Sequence, residues 1–235
     1  FMKPINTHLK LQKDRNAFRH LLNTAIHPEY LWAFIVNTLL IMGGYMLMPF
    51  GSAFAVNNLG VAMTSLPVLY FITGLFSMVA GPVIGKITDR KGKFSVFRFG
   101  TILAMLVILV YCNLGLTPLW IVIAFNVILM VGFLSRIISS SALLTAVPNP
   151  SERGAFMGVN SSIQQISGGI ASVIAGFIVV QSASGTLRHY DTLGYIVSAS
   201  MIITIIMMKS VNRYVKRKTK ENESAVTEII PAVTK

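Results

Sequence analysis

Six apolar runs of about twenty residues, separated by short polar segments, constrain this chain more than any other feature of its sequence. A helical run of that length matches the roughly 30 Å hydrocarbon core of a bilayer. The expected fold class is therefore an all-α membrane protein with six transmembrane helices. Composition agrees: hydrophobic residues make up 54% and charged residues 12% of the chain, too little charge to cover a soluble domain of 235 residues.

The segment from Lys3 to Glu29 is mixed polar and basic. Within it Leu11, Phe18, Leu22 and Ile26 recur near helical spacing, which predicts an amphipathic helix on the membrane face. Spans are expected over 30–54, with a bend near Pro49, and over 64–87, 96–114, 119–147, 154–181 and 192–211. Uncharged turns carry Asn57, Asn58 and Gly60, and later Gly115 to Pro118. The string Pro148-Asn149-Pro150-Ser151-Glu152-Arg153 should break one helix and cap the next. The expected division is a cytoplasmic linker over 1–29, a six-helix transmembrane domain over 30–211 and a frayed, charged cytoplasmic tail over 212–235.

A net charge of +12 would suit a nucleic-acid partner. The basic residues, however, occupy short connectors and form no stripe interleaved with exposed aromatics, which argues against nucleic acid. If the spans alternate, the N-terminal segment, the stretch 86–98, Arg153 and the cluster from Lys209 to Lys220 share one face, and Arg188 alone lies opposite. The positive-inside rule then puts both termini in the cytoplasm of a multi-pass protein of the cell membrane, inner or plasma. Cys112, the single cysteine, lies in an apolar run, and His8, His20, His27 and His189 are scattered outside the spans. No disulfide, metal site or cofactor is expected. Nor does any nucleophile–base pair or phosphate-cradling loop point to an enzyme.

None of the eight acidic residues falls within a span. The embedded carboxylate on which proton relays depend is thus missing. Arg136 is the one ionisable group deep in a span, at a cost of roughly 2.5–3.5 kcal/mol on insertion scales. That cost directs it to a cavity or the bundle interior, to bind an anionic group or hold a carboxylate elsewhere. The plainer alternative is an arginine that satisfies helix-end carbonyls or snorkels to the headgroups. In the fifth span Ser161, Gln164, Gln165, Gly168, Ser172 and Gly176 recur on one side. They line a pathway or pack against another helix; packing suits the glycines and serines, while the two amides need partners or water. In the second span Ser77, Gly81 and Gly85 predict tight helix contact. Asn37, Tyr45 and Asn160 complete the residues expected along a substrate pathway.

The most specific string runs from Gly85 to Lys93. Gly85 suits close helix approach and Gly92 a tight turn between spans. Asp89 can face a helix N-terminus or pair with an arginine, and Arg90 and Lys93 can meet anionic headgroups. Taken alone, this is an ordinary charged turn. In order and position, directly after the second span, it resembles the signature loop of the major facilitator superfamily of secondary transporters. That loop reads Gly-x-x-x-Asp-Arg-x-Gly-Arg/Lys, and Gly85, Asp89, Arg90, Gly92 and Lys93 match it. The string Ser151-Glu152-Arg153-Gly154-x-x-Met157-Gly158 resembles the family's loop between the fourth and fifth helices of a half. Arg136 falls where the family often has Arg-x-x-Gln-Gly, with Ser139 and Ser140 here in place of the last two residues.

The resemblance implies two six-helix halves, each of nested inverted repeats, around a central site. This chain would be the C-terminal half of a drug- or metabolite-efflux type member, moving a small-molecule substrate by alternating access. Its partner in the lipid bilayer would be a missing N-terminal half or a second copy of the chain. The opening Phe1-Met2-Lys3, which has no signal-peptide pattern, reads as a fragment or a displaced start. The resemblance further implies a conformational-switch loop in which Asp89 and Arg153 latch one face, with Arg136, Gln164, Gln165 and Asn37 facing the cavity. The competing expectation is a non-transporting scaffold or truncated remnant whose helices only pack with partners.

Overall fold

The computed structural model describes residues 17–233; Lys3, Leu11 and the rest of the segment before them lie outside the described residues. Among the described residues six helical stretches are long and apolar enough to cross a membrane, as expected. After the short α1 (Ala17–Ile26) comes α2 (Pro28–Tyr45), continued through a 3-10 turn at Met48–Phe50 into α3 (Gly51–Asn57). Then follow α4 (Leu66–Lys91), α5 (Lys93–Tyr111), α6 (Leu119–Leu144), α7 (Arg153–Ile178) and α8 (Tyr190–Val233). Between α7 and α8, β1 (Val180–Gln181) pairs antiparallel with β2 (Leu187–Arg188).

Local chemistry explains most boundaries. Proline enters α2 and α4 in the first turn, where its missing N–H has no helical acceptor to lose. Pro49 sits inside the 3-10 turn, and the first span breaks there. The Pro148–Glu152 stretch ends α6, yet Glu152 makes no side-chain capping bond to α7. Its carboxylate instead accepts a hydrogen bond from the Tyr30 hydroxyl. The tail expected to fray beyond Val211 is helical to Val233, supported by an Arg217–Glu221 pair of 2.7 Å one turn apart.

Packing follows a two-fold pattern. α6 packs on α5 and α4, α2 packs on α7 and α8, and α5 packs on α8. Exchanging α2 with α6, α4 with α7 and α5 with α8 maps this set of pairs onto itself, the α5–α8 pair lying on the axis. Two nested three-helix repeats produce that signature.

Buried side chains form two hydrophobic clusters. One lies toward the hairpin end, around Phe54, Tyr111, Leu193 and Met201; the other lies toward the opposite, basic end, around Tyr30, Phe34, Leu143 and Met208. Phe54 stacks on Tyr190 at 4.0 Å in the first, and Phe34 on Phe156 at 4.8 Å in the second. Along α5, α6 and α8 alike, the residues between the clusters turn polar: Thr101, Ser135, Arg136, Ser139 and Thr204 are all buried.

Small residues set the closest crossing, between α5 and α6. A Cβ added at Gly132 would stand 3.0 Å from Ala104. The contact stripe expected on α4 is absent: Gly74, Gly81 and Gly85 have nothing within 4 Å of where a Cβ would be. α4 instead buries Leu69, Thr73, Ile84 and Thr88, because those side chains offer many dispersion contacts and a glycine offers few.

Candidate functional site

The polar belt is centred on α6. Its serines satisfy themselves within the helix: Ser135 donates to the Val131 carbonyl at 2.8 Å, Ser139 to that of Ser135, and Ser140 to that of Ile137 at 3.1 Å. Such back-bonding to the preceding turn is the usual resort of hydroxyls inside a membrane helix. It leaves them little to offer Arg136. That arginine is 2% exposed, and its Nε and Nη2 have no hydrogen-bond partner among the described residues. Its Cζ stands 5.9 Å from the centre of the Phe133 ring, a cation–π contact within one helix.

Arg136 reaches the seam where α2 and α8 meet. A Cβ at Gly43 of α2 would lie 4.0 Å from Nη2 and 2.9 Å from the Ser200 hydroxyl of α8, so Gly43 opens the space that the guanidinium occupies. Snorkelling does not describe this placement, since the side chain ends among buried groups. The burial expected for Arg136 is present; the carboxylate partner is absent among the described residues, where the one salt bridge is Arg217–Glu221.

The other candidates gather on the far side of α2, against α7. Asn37 donates to Asn160 at 2.8 Å, both buried, while the Asn37 Oδ1 remains without a partner. Tyr45 lays its ring over Gly168, where a Cβ would come within 2.7 Å of it, and the Ser172 hydroxyl lies 3.5 Å from the Tyr45 carbonyl. Gln164 is half-buried and Gln165 exposed. The expected set thus divides into two groups sharing α2: Asn37, Tyr45 and Asn160 on one face, Arg136 on another. Ser198, Ser200 and Thr204 of α8 were not anticipated; the buried Ser198 hydroxyl has no partner. The four-residue spacing of Ser200 and Thr204 in an otherwise apolar run was the available signal.

At the basic end, Gly92 alone joins α4 to α5, with φ +89 and ψ 137. This is backbone that a side chain resists, so the turn requires glycine as expected. The next residue, Lys93, donates to the Ala142 carbonyl at 2.9 Å, and Lys218 to that of Val147 at 2.7 Å. Two cations therefore meet the C-terminal end of α6, where the helix dipole favours them. Asp89, Arg90 and Arg153 are exposed, and Asp89 and Arg153 are not paired. The reason is topological: Asp89 rides on α4, which packs on α5 and α6, whereas Arg153 opens α7, which packs on α1 and α2.

No group of three or more metal-ligating side chains occurs among the described residues. The site offers a buried cation, amides and hydroxyls, groups that can recognise a polar or anionic solute. The family model described as Major Facilitator Superfamily matches residues 33–234. The chain belongs to the Major Facilitator Superfamily. As a superfamily member it is a multi-pass membrane protein of the secondary-transporter class, embedded in lipid and acting on a small molecule. The Gly85–Lys93 string closes α4, turns at the single residue Gly92 and opens α5.

Proposed function

We propose that the chain is the C-terminal six-helix half of an efflux-type secondary transporter of the cell membrane, with both ends cytoplasmic, and that Arg136 meets a negative charge on its substrate. The observation that carries this reading is the buried guanidinium with Nε and Nη2 unpartnered among the described residues, in a bundle where Glu29, Asp89 and Asp191 stand at helix ends and none of them pairs with it. An unpaired buried cation is too costly to serve packing alone. In the conformation described, α2 and α8 cover it. Alternating access supplies the step that parts this seam and lets an anionic group in, with Asn37, Tyr45, Asn160, Gln164 and Gln165 flanking the route on the α7 side. The Asp89–Arg153 latch, with Gly85, Arg90, Gly92 and Lys93 around it, belongs in this reading to another state of the cycle.

The test is counterflow in proteoliposomes holding this chain together with its companion half, using a panel of organic monocarboxylates against organic cations of similar size. Arg136→Gln should abolish carboxylate exchange and Arg136→Lys should retain part of it. Carboxylate exchange unchanged in Arg136→Gln would remove the assigned role.

A further inference from the structure

Two cavities at the basic end meet in one continuous groove. The first, about 540 Å³, is an apolar cleft between α4, α5 and α6, lined by Ala80, Val83, Ile87, Phe99 and Val131. It opens sideways, with Val83 and Phe99 well exposed, so in a bilayer it faces acyl chains. The second, also about 540 Å³, is a polar cup formed where the extension of α8 passes the α4–α5 turn. Lys91 and Ser95 belong to both, which makes the cup the mouth of the cleft.

The cup is strongly basic. Lys91, Lys93, Lys216 and Lys220 line it against one carboxylate, Asp89. Lys93 is committed to the Ala142 carbonyl. For Lys91, Lys216 and Lys220 no hydrogen-bond or salt-bridge partner occurs among the described residues. Lys216 and Lys220 lie one turn apart on α8, so both present from a single helix face.

We propose that this groove is a binding site for an anionic phospholipid, one acyl chain lying in the cleft and the phosphate seated among Lys91, Lys216 and Lys220. The cleft distinguishes a lipid from a soluble anion, which would use the cup alone. The excess of lysine over carboxylate distinguishes a net-negative headgroup from a zwitterionic one. The site lies outside the Arg136 seam and does not depend on the transport reading.

Native mass spectrometry of the purified full chain, titrated with dioleoyl phosphatidylglycerol and dioleoyl phosphatidylcholine, tests it. Phosphatidylglycerol should bind about tenfold more tightly or better. The triple variant Lys91→Gln, Lys216→Gln, Lys220→Gln should lose about fivefold per lysine removed. A control triple, Arg98→Gln, Arg188→Gln, Arg213→Gln, removes equal charge elsewhere and should bind like the parent. Val83→Trp fills the cleft and should weaken the dioleoyl lipid severalfold while sparing dihexanoyl phosphatidylglycerol. Equal binding of the two headgroups, equal losses in the two triples, or a Val83→Trp variant that binds dioleoyl lipid normally would each overturn the proposal. So would displacement of the lipid by an equal concentration of inorganic phosphate.

Discussion

Arg136→Met keeps an unbranched stem of similar length in the slot opened by Gly43 and deletes the guanidinium. In the parent that group is 2% exposed with two nitrogens unpartnered. A cation at mid-span costs roughly 2.5–3.5 kcal/mol. Its contact with Phe133, 5.9 Å from Cζ to the ring centre, returns about 0.5–2 kcal/mol. The variant should therefore be more stable by about 0.5–3 kcal/mol, or about 1–12 °C in melting temperature for a chain of this size. Arg136→Lys retains the charge and should show no such gain. The protein carries its own reporter: Cys112 is the single cysteine and is 4% exposed, so a thiol-reactive fluorogenic dye brightens only as the fold opens. An Arg136→Met protein that melts at or below the parent would refute the reasoning, because it would mean that the guanidinium is satisfied where it sits.

The same melting assay separates two glycines of the Gly85–Lys93 string. Gly92→Ala should cost about 1–3 kcal/mol, since its φ of +89 is strained for any side chain; Gly85→Ala, with open space around its Cβ position, should be neutral or stabilising by up to about 1 kcal/mol. Equal losses at both would point to a packing partner for Gly85. A double-mutant cycle on Asn37→Ala and Asn160→Ala should give a coupling of about 0.6 kcal/mol and no more than about 1.7 kcal/mol, and zero coupling would count against the 2.8 Å bond.

How much of this could be read from the residues differs by level. The spans were legible because a run such as that from Leu119 to Leu144 has few ways to exist except as a membrane helix. The joint at Gly92 was legible because a glycine between two basic residues, closing one apolar run and opening the next, has a local job. Which face of α4 meets its neighbours was not legible: Ser77, Gly81 and Gly85 have the spacing of a contact stripe, yet the close approaches fall at glycines of other helices, among them Gly43, Gly100, Gly132 and Gly168. Spacing defines a face, and only the partner helix decides whether that face is used. Arg136 stood out as isolated because the acids could be placed outside the spans. Its position beside Gly43 and Ser200 depends on three helices far apart in sequence. The basic groove had the same obstacle, since Lys91 and Lys216 become neighbours only after α8 has packed.

The first span's hydrogen bonds carry a consequence for how the chain is made. Tyr30 pairs with Glu152, Asn37 with Asn160 and the Asn58 side chain with the Leu187 backbone, at separations of 122, 123 and 129 residues. At synthesis rates of about 5–20 residues per second, Tyr30, Asn37 and Asn58 are translated roughly 6–26 s before their partners. During that interval Asn160 is not yet available to Asn37. Nascent chains halted before residue 160 should hold α2 less firmly than chains long enough for α7 to have left the ribosome and inserted.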